Sequence, residues 1–329
     1  MSKIARIQEA LVHSGIQGLI HLAANSMAKR SLRNLNHRDK IITFYDKGNN
    51  KKILVILLAG LKPRLWPTVF ERINHFLNIN ADVVIVDPGG IGKDTLINYA
   101  KTYGWSYLAT KHRRISTALN IAVRTFNHAT LIFKLDDDVF VTKNAFKALI
   151  QTLIKSFEKA KNLPAIVMPV MNLNLVTYIH FLEVMGLTYE FKQKFKVKNL
   201  RYGLKIVREK SDVAIWIWKN SLPLDDVARI YNEKAKLKYP NAFDVINVRP
   251  SIGFVLFTRT FWNIMREFLG DVGKGMGYDD LGIVTTVSDK YLGIVICLNV
   301  LVGHLSYGPQ TLEMIKFYER NKDLFQIRE

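Results

Sequence analysis

Between Lys52 and Asp138, short apolar runs alternate with amphipathic segments, and this alternation restricts the fold more than any other feature of the chain. Apolar runs bounded by turn residues predict buried strands, and apolar residues at helical spacing predict helices. We predict strands over 53–59, 81–86, 106–109 and 130–135, and helices over 66–77, 94–103, 115–125 and 143–161. Such alternation builds a largely parallel sheet with helices on both faces. The predicted fold class is therefore α/β, with a Rossmann-like sheet.

The first 50 residues do not follow this alternation. Apolar residues recur there near helical spacing, and the segment then turns basic at Lys29, Arg30, Arg33 and Arg38. We predict an N-terminal helical extension over 1–50 and one α/β domain over 51–329. The extension either packs on the main domain with one solvated face or contacts a surface or partner.

The chain carries 47 Lys and Arg against 28 Asp and Glu, a formal net charge of +19. This excess predicts attraction to a polyanion, such as nucleic acid, an anionic membrane face, an acidic glycan or a nucleotide. A basic insertion spans about 187–240. Within it Lys192, Lys194 and Lys196 alternate with Phe191 and Phe195, which predicts a strand with one basic edge.

Cysteine usage and apolar runs bear on location. Cys297 is the only cysteine, so no disulfide can form within one chain, and a reducing compartment fits. We find no compact apolar segment of the secretory kind near Met1, and no apolar stretch approaches the roughly 20 residues of a membrane span. We expect a cytoplasmic protein, with peripheral attachment to a membrane as the variant.

Three adjacent acids, Asp136, Asp137 and Asp138, follow the predicted strand at 130–135. Adjacent carboxylates repel one another, and a divalent ion such as Mn²⁺ or Mg²⁺ offsets that repulsion through oxygen ligands. The alternative is an acidic turn that caps the next helix. Phosphate-loop motifs are absent: Asp87 and Asp94 stand where a P-loop needs Gly and Ser or Thr, and no Gly-x-Gly-x-x-Gly follows the first strand.

The segment 133–141, FKLDDDVFV, resembles the acidic DxD motif of GT-A fold glycosyltransferases, in the form found in Fringe-like and related galactosyltransferases. The upstream segment is similar to the large inverting family two, in which a strand ends in Asp and a turn, an Asp-x-Thr and a helix with Ala-x-Asn follow. The similar segments of this chain are 83–87, 89–90, 93–95, 117–120, 250–254 and 277–281. The order and spacing of these segments, over about 52–307, carry the resemblance.

The resemblance implies a nucleotide-sugar donor, UDP- or another NDP-sugar, bound with a metal ion. Asp87 would contact the base or ribose, Asp136 the donor and the metal, and Asp138 the metal, while Asp137 stays open between these roles. The other candidate donor-side residues are Ala59, Gly60, Arg113 and Arg114. The donor half is 51–145 and the acceptor half 146–329.

On the acceptor half, the resemblance makes Asp280 the general base, with Asp279 supporting it or binding acceptor. The family often carries Glu-Asp at this point, so the Asp-Asp pair leaves open which acid is the base. His304 is a third metal ligand or a structural histidine. The candidate acceptor-side residues are Gly253, Trp216, Trp218, Lys192, Lys194 and Lys196, of which the two tryptophans either stack on sugar or pack in the core.

The expected activity is metal-dependent transfer of a hexosyl or pentosyl group to a hydroxyl of a glycan or glycolipid, as in building a bacterial surface polysaccharide, with inversion. Two alternatives remain. One keeps the chemistry but moves the sugar to modified bases of phage DNA, with the basic strip contacting phosphate and its aromatic residues stacking on bases. The other is a non-catalytic polyanion-binding protein on the same scaffold, which would not need the acids.

Overall fold

A computed structural model of the chain describes residues 39–60, 62–159, 164–246, 248, 250, 252–269, 279–290 and 292–328, with the backbone alone at 279–281. Residues 1–38, which hold the predicted helices of the N-terminal extension, lie outside the described residues. Among the residues described, no helix has the length and apolar character to cross a bilayer.

Within the described residues, one sheet of ten strands organises the fold. In chain order the strands are β1 (Ile41–Tyr45), β2 (Ile53–Leu58), β3 (Asp82–Pro88), β4 (Ser106–Thr110), β5 (Leu131–Asp136), β6 (Val139–Phe140), β7 (Pro164–Met171), β8 (Phe243–Ile246), β9 (Phe254–Thr258) and β10 (Gly293–His304). Their order across the sheet is β1-β4-β3-β2-β5-β9-β7-β10-β6, with β8 paired to β10. The sheet is mixed: β4-β3-β2-β5 and β7-β10 are parallel, and the remaining pairs are antiparallel.

Helices connect and cover these strands. They are α1 (Trp66–Phe76), α2 (Lys93–Tyr103), α3 (Ile115–Thr125), α4 (Ala145–Lys159), α5 (Tyr178–Met185), α6 (Thr188–Phe195), α7 (Lys205–Glu209), α8 (Ser211–Lys219), α9 (Leu224–Lys238), α10 (Arg259–Met265), α11 (Asp279–Lys290) and α12 (Thr311–Arg320). Short 3₁₀ turns lie at Pro63–Leu65, Gly308–Gln310 and Lys322–Leu324.

The parallel core is covered on both faces. Successive side chains of a strand point to opposite faces, yet every residue of β3, β4 and β7 is buried. Parallel strands joined by helical crossovers have this all-buried pattern, and it explains why they read as continuous apolar runs in the sequence. The predicted α/β class, with a Rossmann-like sheet, is therefore confirmed.

The four strands and four helices predicted between residues 53 and 161 are present, with ends shifted by about two residues at most. The sheet also begins earlier than residue 51, because β1 lies within the segment that we assigned to a helical extension. Its residues pair antiparallel with β4, from Ile41 opposite Thr110 to Tyr45 opposite Tyr107.

The strand predicted around Lys192–Lys198 is wrong, because residues 188–195 form helix α6. Phe191 and Phe195 lie four residues apart, one turn of the helix, and both rings contact Trp216 at centroid distances of 5.6 and 5.8 Å. Packing of these two rings on Trp216 favours the helix over the strand, and the intervening lysines take the helical conformation with them.

Arg72 joins three separate parts of the chain beneath the sheet. Its guanidinium is fully buried, and Nε donates to the carbonyl of Val141 at 2.8 Å while Nη1 donates to that of Phe325 at 3.0 Å. Asp225, at the start of α9, pairs with the same guanidinium. A buried charge with so many partners leaves several of them unsatisfied when it is removed.

Arg72→Met is therefore expected to lower the free energy of unfolding by about 3 kcal/mol, because Asp225 and two buried carbonyls lose their donor. Urea denaturation followed by circular dichroism measures the change. Arg64→Met is the matched control, since the Arg64–Glu319 pair is exposed and is worth under about 1 kcal/mol. Equal losses in the two variants would contradict the structural role of Arg72.

Candidate active site

The acidic segment lies where the strand order of the sheet reverses. From β2 the chain builds outward through β3 and β4, and then returns to place β5 on the other side of β2. Leu58, the last residue of β2, pairs with Asp136, the last residue of β5. Ligands of open α/β sheets bind outside the carboxyl ends of the strands at such a switch point. The three acids therefore stand at the position where this topology favours a ligand.

A short antiparallel pairing brings His304 to the same place. Strand β6 follows the acids directly, and its Val139 and Phe140 pair with His304 and Gly303 at the end of β10. The backbone N–H of Leu305 donates to the carbonyl of Asp138 at 3.0 Å. His304, which the sequence placed after the final strand, is thus its last residue and lies beside Asp138.

Asp138 is the most strongly ion-paired of the three acids. Its Oδ2 contacts Nζ of Lys62, which comes from the loop after β2, and lies 3.5 Å from Nε2 of His304. The carboxylate is only 3% exposed. Burial by itself raises the pKa of Asp138, but the charges of Lys62 and His304 together outweigh it and lower that pKa below the ordinary value. Asp138 is therefore held ionised.

Asp137 points away from the cation site and into the protein. Its Oδ2 accepts from Nε1 of Trp66 at 2.9 Å and from the backbone N–H of Lys62 at 3.0 Å. Burial raises the pKa of Asp137, and the bond from Trp66 opposes this shift. The carboxylate thus ties the loop after β2 to the end of β5.

Asp136 faces outward, and its side chain is 30% exposed. Its Oδ1 lies 2.7 Å from Nζ of Lys134, a buried lysine inside β5 whose ammonium also donates to the carbonyl of Ile252 at 2.8 Å. Burial raises the pKa of Asp136, the charge of Lys134 opposes that shift, and Asp138 adds to it. A fixed cation therefore stands behind this acid.

The imidazole of His304 is held in one orientation by the loop after β7. Nδ1 lies 2.6 Å from the carbonyl of Leu173, and the backbone N–H of His304 donates to Oδ1 of Asn172 at 3.0 Å. A carbonyl can only accept, so Nδ1 carries the proton and Nε2 is the nitrogen that faces Asp138. Such a bond to the far ring nitrogen fixes the tautomer and orientation of metal-binding histidines.

Trp218 supports the same strand end from below. Its ring is fully buried, and Nε1 donates to the carbonyls of His304 and Leu305 at 3.0 and 3.1 Å. A Cβ on Gly303 would lie 2.5 Å from the ring, so the strand is flush against the indole. Of the two explanations open for Trp218, core packing applies.

A cavity of about 810 Å³ opens over the acids. Asp136, Asp137, Asp138, Lys62, Lys134 and His304 line one end of it. The cavity is also lined by Tyr202, Lys205 and Arg208, from α7 and the segment before it, and by Tyr307, whose ring centroid lies 5.2 Å from that of His304. Gly253 lines the floor, where its carbonyl accepts from the N–H of Asp136 at 2.8 Å. The volume lies within the range of small-molecule sites.

The donor set suits a divalent ion that the protein holds only in part. No group of three or more His, Cys, Asp or Glu in the described part of the chain is arranged to hold a metal. Asp138 and His304 do present an oxygen and a nitrogen 3.5 Å apart, and Asp136 lies next to them in the cavity. Magnesium-type sites commonly use one or two carboxylates, with waters and substrate phosphates as the remaining ligands. The residues therefore fit a metal that binds together with a phosphorylated ligand.

Asp87 is buried at the end of β3 and does not line the cavity. Its carboxylate accepts from the hydroxyl of Tyr107 at 2.9 Å and from the backbone N–H groups of Ile91 and Gly92 at 3.1 and 3.0 Å. Burial raises the pKa of Asp87, although these bonds oppose the shift. The acid holds the glycine-rich turn after β3 in shape.

The other predicted donor-side residues surround that turn. Ala59 is buried, and Gly60 has φ +114°, with Oδ1 of Asp87 3.3 Å from the position of a Cβ. Arg113 is exposed, and Nη1 of Arg114 is buried with no hydrogen-bond partner among the described residues. None of these four residues lines the cavity.

The predicted acceptor-side residues divide into two groups. Gly253 lines the cavity, whereas Trp216, Lys192, Lys194 and Lys196 do not. Trp216 lies on α8 among aromatic rings, and its Nε1 donates to Glu190 at 3.2 Å. The side chains of Asp279 and Asp280 lie outside the described residues, whose backbone shows only that both open helix α11.

Sequence reasoning missed Lys62 and Lys134. Lys134 lies two positions before Asp136 in an otherwise apolar run. A charged residue inside a buried strand is unusual and could have been recognised as a candidate site residue. Lys62 follows a short loop with no recurring pattern, so nothing in the sequence connects it with Asp138. Lys205 and Arg208 were part of the predicted basic insertion but were not singled out.

No protein-family model matches the chain, and the search of curated proteins gave no match. Several solved structures do match it. The mannosyltransferase PcManGT from Pyrobaculum calidifontis, in complex with GDP-Man and Mn²⁺, is 13% identical, with 94% of this chain and 74% of that chain covered and a TM-score of 0.45. TarS 1–349 from S. aureus is 9% identical, with 85% and 67% covered and a TM-score of 0.44.

A third match is glucosyl-3-phosphoglycerate synthase from Mycobacterium tuberculosis, in complex with Mn²⁺, UDP and glucosyl-3-phosphoglycerate. It is 12% identical, with 87% of this chain and 86% of that chain covered and a TM-score of 0.40. At this level of similarity the matches assign no activity, and the chemistry must be argued from the site.

Trp66→Phe is expected to destabilise the protein by about 1–3 kcal/mol, because buried Asp137 loses one of its donors. Equilibrium unfolding in urea measures the loss. Trp216→Phe makes the same change where the indole N–H donates to exposed Glu190, and it is expected to cost less. A Trp66→Phe variant as stable as the wild type would contradict the role given to Asp137.

Proposed function

We propose that this protein is a metal-dependent glycosyltransferase that moves a sugar from a nucleotide-sugar donor to a hydroxyl group of an acceptor. The observation that carries the proposal is the meeting of Asp138 and His304, with Asp136 beside them, at the switch point of the sheet. An oxygen and an oriented nitrogen facing a large cavity form a half-built metal site. A diphosphate-bearing substrate supplies the oxygens that this site lacks.

The donor is proposed to lie with its diphosphate over Asp138 and His304 and its sugar or ribose toward Asp136. Bound there, Mn²⁺ or Mg²⁺ would neutralise the charge that gathers on the diphosphate leaving group. Lys134, fixed behind Asp136 by the carbonyl of Ile252, keeps that acid in place to accept hydroxyl hydrogen bonds from the donor. UDP- and GDP-sugars are the first donors to test.

In the proposed reaction, the acceptor oxygen forms a bond to the anomeric carbon, and the bond from that carbon to the donor phosphate oxygen breaks. The electron pair leaves with the nucleoside diphosphate, and the acceptor proton goes to a carboxylate base. Asp280 is assigned as this base and Asp279 as its support, on the sequence resemblance. Inversion at the anomeric carbon follows from the same resemblance.

The acceptor is proposed to be a glycan or glycolipid that carries anionic groups, of the kind used in a bacterial surface polysaccharide. Lys205 and Arg208 line the same cavity as the acids, and both residues are exposed. Tyr202 and Tyr307 lie near them and offer ring faces to a sugar. Of the basic strip at 192–210 that suggested DNA, Lys192, Lys194 and Lys196 do not line this cavity, whereas Lys205 and Arg208 do.

Asp138→Asn is expected to abolish Mn²⁺-dependent turnover of the donor, with a loss of about 100-fold or more, because several kcal/mol of leaving-group stabilisation depend on the ion. Release of nucleoside diphosphate from a panel of UDP- and GDP-sugars, with and without Mn²⁺, measures it. Asp323→Asn, an exposed acid far along the chain, is the control. Full activity of Asp138→Asn would overturn the proposed site, and the absence of any donor turnover or binding would favour a non-catalytic protein.

The double variant Lys205→Met, Arg208→Met is expected to raise KM about tenfold for phosphorylated or carboxylated oligosaccharides, because two cations that face the acceptor are lost. Donor hydrolysis without acceptor should change little. The control is Lys192→Met, Lys194→Met on α6, outside the cavity. A larger effect from the α6 pair would move the acceptor site to the strip first predicted from the sequence.

A further inference from the structure

Two of the three acids are paired with lysines: Asp136 with Lys134, and Asp138 with Lys62. These two lysines differ in how firmly they are held. Lys134 is 3% exposed and is fixed by a second bond to the carbonyl of Ile252. Lys62 comes from a loop, its side chain is 14% exposed, and it lines the cavity beside Asp138. One lysine is thus built into the strand, and the other reaches the acids from the edge of the cavity.

Lys62 contacts the oxygen that a metal would need. The ammonium lies on Oδ2 of Asp138, and the same oxygen faces Nε2 of His304 at 3.5 Å. An ion bound between that oxygen and that nitrogen lies about 2 Å from each. Two cations on one carboxylate oxygen repel each other, so the ammonium and the metal compete for Asp138.

The backbone of Lys62 is held separately from its ammonium. Its N–H donates to Oδ2 of Asp137 at 3.0 Å, and the indole of Trp66, one turn further on, donates to the same carboxylate oxygen. Lysine has a flexible four-carbon stem and a compact charge that needs no fixed geometry. The ammonium can therefore leave Asp138 without any movement of the loop and stay within the cavity.

We propose that Lys62 exchanges with the metal: its ammonium neutralises Asp138 in the empty site, gives way when the divalent ion binds, and then contacts the donor diphosphate. Metal and nucleotide thereby bind in a coupled manner, because each favours the position of Lys62 that the other requires. The inference rests on the proposed function, since it needs a metal at Asp138. It adds a positioning residue that sets the order and strength of loading.

Direct Mn²⁺ titration, by calorimetry or by the electron paramagnetic resonance signal of the free ion, tests this exchange in the full-length protein. Lys62→Met is expected to bind Mn²⁺ about tenfold more tightly than wild type without nucleotide, because the competing cation is gone. In wild type, saturating UDP or GDP should tighten Mn²⁺ binding. In Lys62→Met this gain should shrink to less than about one third, because the diphosphate loses its ammonium contact.

Lys143→Met is the matched control, since it removes one positive charge from an exposed lysine close in sequence to the acids. Lys143→Met should leave unchanged both the Mn²⁺ affinity without nucleotide and the gain in that affinity caused by UDP or GDP. Thermal unfolding adds a second readout: Mn²⁺ should raise the melting temperature of Lys62→Met more than that of wild type, because the ion replaces the lost charge. If Lys62→Met does not fold even with Mn²⁺, Lys62→Arg takes its place. Its forked guanidinium should hold Asp138 more firmly and weaken Mn²⁺ binding.

The outcomes separate this inference from the proposed function. Mn²⁺ binding that Asp138→Asn abolishes but Lys62→Met and Lys62→Arg leave unaltered overturns the exchange and leaves the metal site standing. Tighter Mn²⁺ binding in Lys62→Met with an undiminished gain from UDP or GDP also overturns it, because Lys62 would then be only a competing charge. If wild type and Lys62→Met both lack binding that depends on Asp138, the metal site and the exchange fail together.

Discussion

The site depends on one short antiparallel pairing. Two residues of β6 pair with the last two of β10, and this contact places the imidazole of His304 beside the acids at the end of β5. The pairing needs no connecting loop after the acids, because β6 begins at the residue that follows Asp138. It also closes the far edge of the sheet, so the element that completes the site completes the fold as well. The Arg72 cluster braces this edge through Val141, one residue beyond β6.

Around that pairing, three adjacent carboxylates are made compatible with a folded core by giving each a different environment. Asp136 is paired with the ammonium of Lys134. Asp137 accepts hydrogen bonds from two neutral N–H donors. Asp138 contacts the ammonium of Lys62 and the imidazole of His304. Burial of like charges this close is otherwise unfavourable. Division of labour among identical residues follows: one acid anchors a loop, and the two beside it remain available to ligands.

The strands and helices of the core could be predicted because each is encoded by a local pattern of apolar residues. The run at 53–58 is apolar along its whole length, and the run at 131–136 is apolar except at Lys134 and Asp136, as expected of buried strands. The order of elements then places Asp136 at a switch point. The strip at 191–198 failed because alternating lysines mimic a strand, while the deciding contact, two phenylalanines on Trp216, is tertiary. Spacing of four between Phe191 and Phe195 was the available signal.

Within the site, the sequence predicted that Asp138 and His304 belong to one site, and they lie 3.5 Å apart, whereas it did not predict the contacts of Lys62 and Asp137. A motif shows which residues share a segment, but not which way each side chain turns at the end of a strand. The carboxylate of Asp137 turns inward to accept a hydrogen bond from the buried indole N–H of Trp66. No pattern in the sequence links these two residues. Asp87, which we predict to contact the donor, accepts hydrogen bonds from Tyr107 on β4 and from two N–H groups of its own turn.

The contact between Gly303 and Trp218 has a consequence for how this protein can vary. The indole fills the space of a side chain at position 303, since a Cβ there would lie 2.5 Å from the ring. The strand end that carries His304 and the helix that carries Trp218 therefore cannot diverge independently. In homologous chains, any side chain at the position of Gly303 should be accompanied by a smaller residue at that of Trp218, and the two positions should covary although one lies on β10 and the other on α8.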